Sequence, residues 1–221
     1  AAAAALPTMT NGGGAGATAV AVLTGDQGAV PTLTLEVVNP GEGYTSPANY
    51  TITGPATADD ATTAPNISGG IYGNLSLNNY QGATATSDLS LTGNLRLANG
   101  NLAMSQYTLN LGAASNIYDA LAGAGTTFNN TKMVTTAGLA SNGGIAKAFN
   151  GLCFLYPQGI GTDYMEENLC FSGVPGAYGT ITVKPVSGEH PLVSATGQSL
   201  AAYWNIRSSG TSVAPATVSH T

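Results

Sequence analysis

Charge is nearly missing from this chain: its 221 residues include five Lys and Arg and eleven Asp and Glu, and no basic residue precedes Arg96. A nucleic-acid-binding surface needs a basic patch that displaces counterions from phosphates, and three Lys and two Arg do not build one. The same scarcity argues against docking on anionic membranes. Long apolar runs are missing as well; none reaches the roughly eighteen residues that a bilayer-spanning helix needs. Lys and Glu, strong helix formers, are rare, whereas Thr, Ser, Asn and Gly are abundant. That balance favours strands joined by tight turns, with a neutral polar surface.

The net charge of −6 is unevenly placed. Asp26, Glu36, Glu42, Asp59, Asp60 and Asp88 stand in residues 1–95 without a basic partner, and the remainder balances five acids against five bases. Cysteine is scarce too. Cys153 and Cys170 are the only two, and an even count in a chain that reads as secreted favours a disulfide over two buried thiols. Redox chemistry asks for a closer Cys-x-x-Cys spacing, and a metal site for more ligands. The opening Ala-rich segment has the small residues left by signal-peptide removal.

Four segments separate by composition. Residues 1–10 have no partner within their own segment and are a candidate donor strand. Residues 11–66 hold a glycine-rich turn running into Thr18-Ala-Val-Ala-Val-Leu23, then Leu33-Thr-Leu-Glu-Val-Val38 and Tyr50-Thr-Ile-Thr53, with Pro40 and Pro47 bracketing a Gly-rich turn. Residues 67–145 repeat short apolar-x-apolar units: Leu75-Ser-Leu77, Leu89-Ser-Leu91, Leu95-Arg-Leu97, Leu102-Ala-Met104 and Leu109-Asn-Leu111. Each unit places two apolar side chains on one face of a strand, so the set predicts a ladder wound as a solenoid or laid out as a meander. Residues 146–221 carry the single Trp and the Cys pair and predict a sandwich-like domain with a C-terminal strand.

Catalytic groups are as sparse as charges. His190 stands in a turn and His220 is penultimate, so neither builds a nucleophile–base pair with a neighbour. Asp59-Asp60 and Glu166-Glu167 are adjacent residues, and adjacent side chains on a strand point to opposite faces, which is unsuited to paired acid and base work. The four Asn-x-Ser/Thr matches, at Asn49, Asn66, Asn74 and Asn129, are of the kind that a chain rich in Asn and Thr gives by chance. No enzyme and no cofactor is expected.

The segment Gly14-Ala-Gly-Ala-Thr-Ala-Val-Ala-Val22, with Asn39-Pro-Gly-Glu-Gly-Tyr-Thr-Ser-Pro47 and Tyr50-Thr-Ile-Thr-Gly54, resembles a small β module of bacterial surface and phage-associated proteins. Further on, Ser87 to Leu102, Tyr107-Thr-Leu-Asn-Leu-Gly112, Leu155-Tyr-Pro-Gln-Gly-Ile-Gly161 and Tyr203-Trp-Asn-Ile206 occur in the order found in large secreted surface proteins of the Bacteroidota, including cargo of their type IX secretion route, which the chain resembles there. The resemblance implies an extracellular, cell-surface location.

The expectation is an all-β chain, mostly antiparallel, of β-sandwich-like modules with a short-strand ladder between them. Its expected role is that of a structural subunit of a cell-surface filament whose partners are copies of itself, with no membrane insertion. Candidate contact residues in the terminal tails are Ala1, Leu6, Met9, Val213 and Val218, which could add strands to a neighbour's sheet. The alternative is a carbohydrate-binding adhesin or a stalk module of a larger surface protein, with Tyr44, Tyr72 and Tyr80 stacking on surface glycans.

Overall fold

The computed structural model describes residues 8–10, 18–24, 32–39, 49–53, 66–119, 127–141, 143–149, 153–172, 179–193, 197, 200–209 and 217–220. Among them there is no helix, and so none long and apolar enough to cross a membrane; the chain is all-β.

Four strands come first: β1 (Thr8–Thr10), β2 (Thr18–Thr24), β3 (Thr32–Asn39) and β4 (Asn49–Thr53). A first coil is made of β5 (Asn66–Ile67), β6 (Gly70–Tyr72) and β7 (Leu75–Asn78). The second is β8 (Ala83–Ala85), β9 (Leu89–Leu91) and β10 (Leu95–Asn99), and the third β11 (Leu102–Ser105), β12 (Leu109–Leu111) and β13 (Ile117–Tyr118). A fourth begins with β14 (Val134–Thr136) and β15 (Ile145–Ala148). The rest comprises β16 (Cys153–Tyr156), β17 (Gln158–Ile160), β18 (Asp163–Tyr164), β19 (Glu167–Ser172), β20 (Thr180–Ser187), β21 (Ala202–Ser208) and β22 (Thr217–His220).

Equivalent strands of successive coils lie side by side. The first sheet runs β1-β4-β7-β10-β13, the second β18-β17-β14-β11-β8-β5-β3-β2, the third β21-β20-β15-β12-β9-β6, and a fourth β16-β19-β22. From β4 to β13, from β3 to β17 and from β6 to β15 all pairing is parallel, a β-solenoid arrangement. Antiparallel pairs occur at the flanks and in the fourth sheet. The expectation of mostly antiparallel pairing is therefore corrected for the ladder: each strand is joined to its neighbour by a whole coil rather than by a hairpin.

The coil length follows from the sequence. Leu75 pairs with Leu95 and Leu89 with Leu109, in each case 20 residues apart. Within every Leu-x-Leu unit the two apolar residues are buried and the middle one half-buried. Stacking turns these pairs into continuous interior rows: Leu75, Leu95 and Ile117 in the first sheet, Ala83, Leu102 and Val134 in the second, Leu89, Leu109, Ile145 and Val183 in the third. A three-residue strand cannot hold itself together, but each coil buries its apolar side chains against the next. Fully burying one Leu contributes about 1.5–3 kcal/mol, so the rows are the main source of stability.

Corners are pinned by side chains acting on the following coil. Asp88 Oδ1 accepts the Thr108 N–H at 2.7 Å, and Asn101 Oδ1 accepts the Met133 N–H at 3.0 Å while its Nδ2 donates to Asn130 O. These acceptors satisfy N–H groups that the turns leave outside the sheets.

Candidate functional site

Cys153 and Cys170 form a disulfide, facing each other directly on antiparallel β16 and β19. Phe154, Tyr156, Leu169 and Phe171 on the same two strands are buried. Phe149 meets the rings of Phe154 and Phe171 edge-on, with centroids 6.4 and 4.9 Å apart. The sulfur bridge thus ties together the two strands that carry this aromatic cluster.

Polar groups enter the interior at this end. Lys147 continues the row of Leu91 and Leu111 and is followed by Ile181. Only 4% exposed, it donates two hydrogen bonds of 2.6 Å to Gly112 O and Ala113 O and lies 5.4 Å from the Phe154 ring centroid. Burial brings its ammonium down to about 8, since the charged form is the one that loses most on leaving water. Gln158 extends the row of Ala83, Leu102 and Val134 and is also fully buried. Tyr156 donates to Ile181 O, and its hydroxyl is pushed far up by burial first and by the Glu167 charge second. These groups are buried on the inside of the solenoid, where Lys147 and Gln158 close the apolar rows.

The expected site residues are scattered. Met9 lies in β1 opposite Tyr50, and Val218 in β22 opposite Phe171, so each terminal strand has a partner in its own chain on one side. Ala1, Leu6, Val213, Tyr44, Asp59 and Asp60 lie outside the described residues. Tyr72 is corrected as a sugar platform: it is 8% exposed, with its hydroxyl donating to Ser68 O at 2.5 Å. Alternation along β6 turns Ile71 outward and Tyr72 toward the core. Tyr80, in a turn, is 49% exposed.

Glu166 and Glu167 diverge: Glu166, in the link before β19, is exposed and accepts the Tyr164 hydroxyl, whereas Glu167, the first residue of β19, is buried. His190 accepts the Leu192 N–H on Nδ1 and meets the Tyr203 ring edge-on, and His220 sits in β22. Among the described residues no group of three His, Cys, Asp or Glu could hold a metal ion.

What the sequence did not point out is the character of the sheet edges. The four sheets end on β1 and β13, β2 and β18, β21 and β6, and β16 and β22. Of these eight strands only β18, with Asp163, and β21, with Arg207, carry a Lys, Arg, Asp or Glu. Ile71 on β6 is 67% exposed and Ile206 on β21 46%. Charged side chains are the usual guard against edge-to-edge pairing, and these edges largely lack it. No family model matches this sequence, and neither the curated proteins nor the solved structures contain a match to it.

Proposed function

We propose that this chain is a structural subunit of an extracellular, cell-surface filament whose copies join non-covalently through their sheet edges. The observation that carries the reading is the row of uncharged edge strands, with the apolar side chain of Ile71 standing out from one of them. An edge strand presents N–H and C=O groups at strand spacing, and a second copy supplies the matching groups. A neutral polar surface suits this role, because like charges repeated along a closely packed fibre repel one another. The internal disulfide and the resemblance to secreted Bacteroidota surface proteins support the location outside the cell.

Electron microscopy of the purified chain tests the reading. Ordered filaments of one repeating subunit are expected, and they should shorten or vanish when a charge is placed on an edge by Ile71→Lys or Met9→Lys. Ile71 faces solvent, so that substitution leaves the coil intact. A stable monomer under all conditions, or filaments indifferent to both edge charges and to removal of residues 1–10 and 211–221, would defeat it.

A further inference from the structure

Two of the chain's five basic residues share one cleft. The outer face of the third sheet, opposite its apolar rows, is hollowed into a cleft of about 630 Å³ by β12, β15, β20, β21 and the turn at Ala140 and Ser141. Lys184 pairs in register with Asn205, and Thr182 with Arg207, so the two cations stand one diagonal step apart on the same face. Lys184, 6% exposed, donates from Nζ to Ala140 O at 2.5 Å, and the exposed Arg207 donates from Nε to Asn205 Oδ1 at 3.1 Å. Thr and Ser hydroxyls and the Asn110 and Asn205 amides make up much of the remaining lining, and no carboxylate is among the described residues that line it.

Two of the other three cations are engaged elsewhere in the chain. Lys132 pairs with Asp119, and Lys147 is held on interior carbonyls. Bringing Lys184 and Arg207 together is unfavourable in itself: burial first, and the Arg207 charge second, depress the Lys184 ammonium. An anion placed between them recovers that energy. The volume exceeds what a single inorganic anion fills, and hydroxyl and amide groups on an open sheet face match the hydroxyls of a sugar.

We infer that this cleft binds an acidic saccharide, whose carboxylate or sulfate group lies against Arg207 and Lys184 and whose hydroxyls meet the Thr, Asn and Ser lining. The guanidinium provides fork-shaped donors suited to either group. A chain of net charge −6 repels polyanions in general, so binding must come from this local pair.

The experiment is calorimetry on the whole purified chain with oligogalacturonate, a sulfated dextran oligosaccharide, unsulfated dextran and sodium sulfate alone. Saturable binding of at least one acidic saccharide is expected, and the carboxylate and sulfate arms tell which group the cleft takes. Arg207→Gln, at an exposed position that leaves the fold unaltered, should weaken it about tenfold, the loss of one charge-assisted contact. Lys184→Met should weaken it too, while Ile71→Lys should not. Equal binding of unsulfated dextran, full affinity for sulfate alone, unchanged affinity in Arg207→Gln, or no binding of either acidic saccharide would overturn the inference.

Discussion

Asn74 and Asn94 occupy equivalent corners of successive coils, and Asn74 Oδ1 accepts the Asn94 backbone N–H at 2.6 Å. Asn94 repeats the arrangement with the Asn116 N–H at 2.9 Å, which makes a three-rung side-chain ladder. Replacing Asn94 by Ala leaves the Asn116 N–H to water and should cost about 1 kcal/mol, or a fall in Tm of about 2–4 °C for a chain this size. Asn94→Asp keeps the acceptor, as Asp88 does for Thr108, and should lose much less. Thermal unfolding of the two variants side by side checks this.

Gly100 is fixed by its turn. Its φ is +80°, and a Cβ there would run into Asn79 O and the Gly82 backbone. Gly100→Ala adds a left-handed penalty of about 1–2 kcal/mol to a backbone clash that only a shift of the adjoining coil relieves. Gly161, at φ +59°, has nothing within 4 Å of such a Cβ, so Gly161→Ala should show the conformational penalty alone. Urea unfolding should rank Gly100→Ala well below Gly161→Ala in stability.

Reducing the Cys153–Cys170 bond, or replacing both residues by Ser, opens a loop with a sequence separation of 17 and should cost about 3 kcal/mol by chain entropy. Because the bond joins β16 to β19, protection from hydrogen exchange should fall in residues 153–172 and stay high in the coils from Leu75 to Leu111.

Asp119 makes part of the stability depend on acid. Burial pushes its carboxyl up, but hydrogen bonds from the Thr127 hydroxyl and N–H and from Lys132 outweigh burial and bring it down to about 2. A carboxyl lowered by folding binds its proton more weakly in the folded chain, so its contribution is complete above the ordinary carboxylate range and lost as pH falls toward 2. About 2 kcal/mol should disappear over that interval, and Asp119→Asn should flatten that part of the pH profile.

Which residues are buried was legible because alternation decides it whatever the strand direction: Leu75 and Leu77, and Leu109 and Leu111, face inward as their pattern requires. Direction itself is absent from a two-residue period. It is set by coil length, and the repeats of Gly-Asn-Leu at Gly73 and Gly93 mark that length in the sequence. The period is then broken, since Leu102 pairs with Val134 and Leu109 with Ile145, 32 and 36 residues further on. Inserted turns hide the later coils from any search at fixed spacing. The cleft was hidden for another reason: Lys184 and Arg207 are far apart in sequence and meet only through the register of β20 and β21. Tyr72 offers no sugar platform because the short strand β6, too brief to show an alternating pattern in the sequence, turns its ring inward.

The parallel coils also determine how this chain bears load. Tension along the stacking axis acts across the strands, so it separates backbone hydrogen bonds one coil at a time instead of shearing a whole sheet at once. A coil in which Leu75 and Leu95 are neighbours releases about 70 Å of extended chain when it peels away. The Cys153–Cys170 bond withholds the segment it encloses from that extension. Drawn out under force, such a molecule should lengthen in unequal steps, about 20 residues at a time for the early coils and more where inserted turns lengthen the later ones.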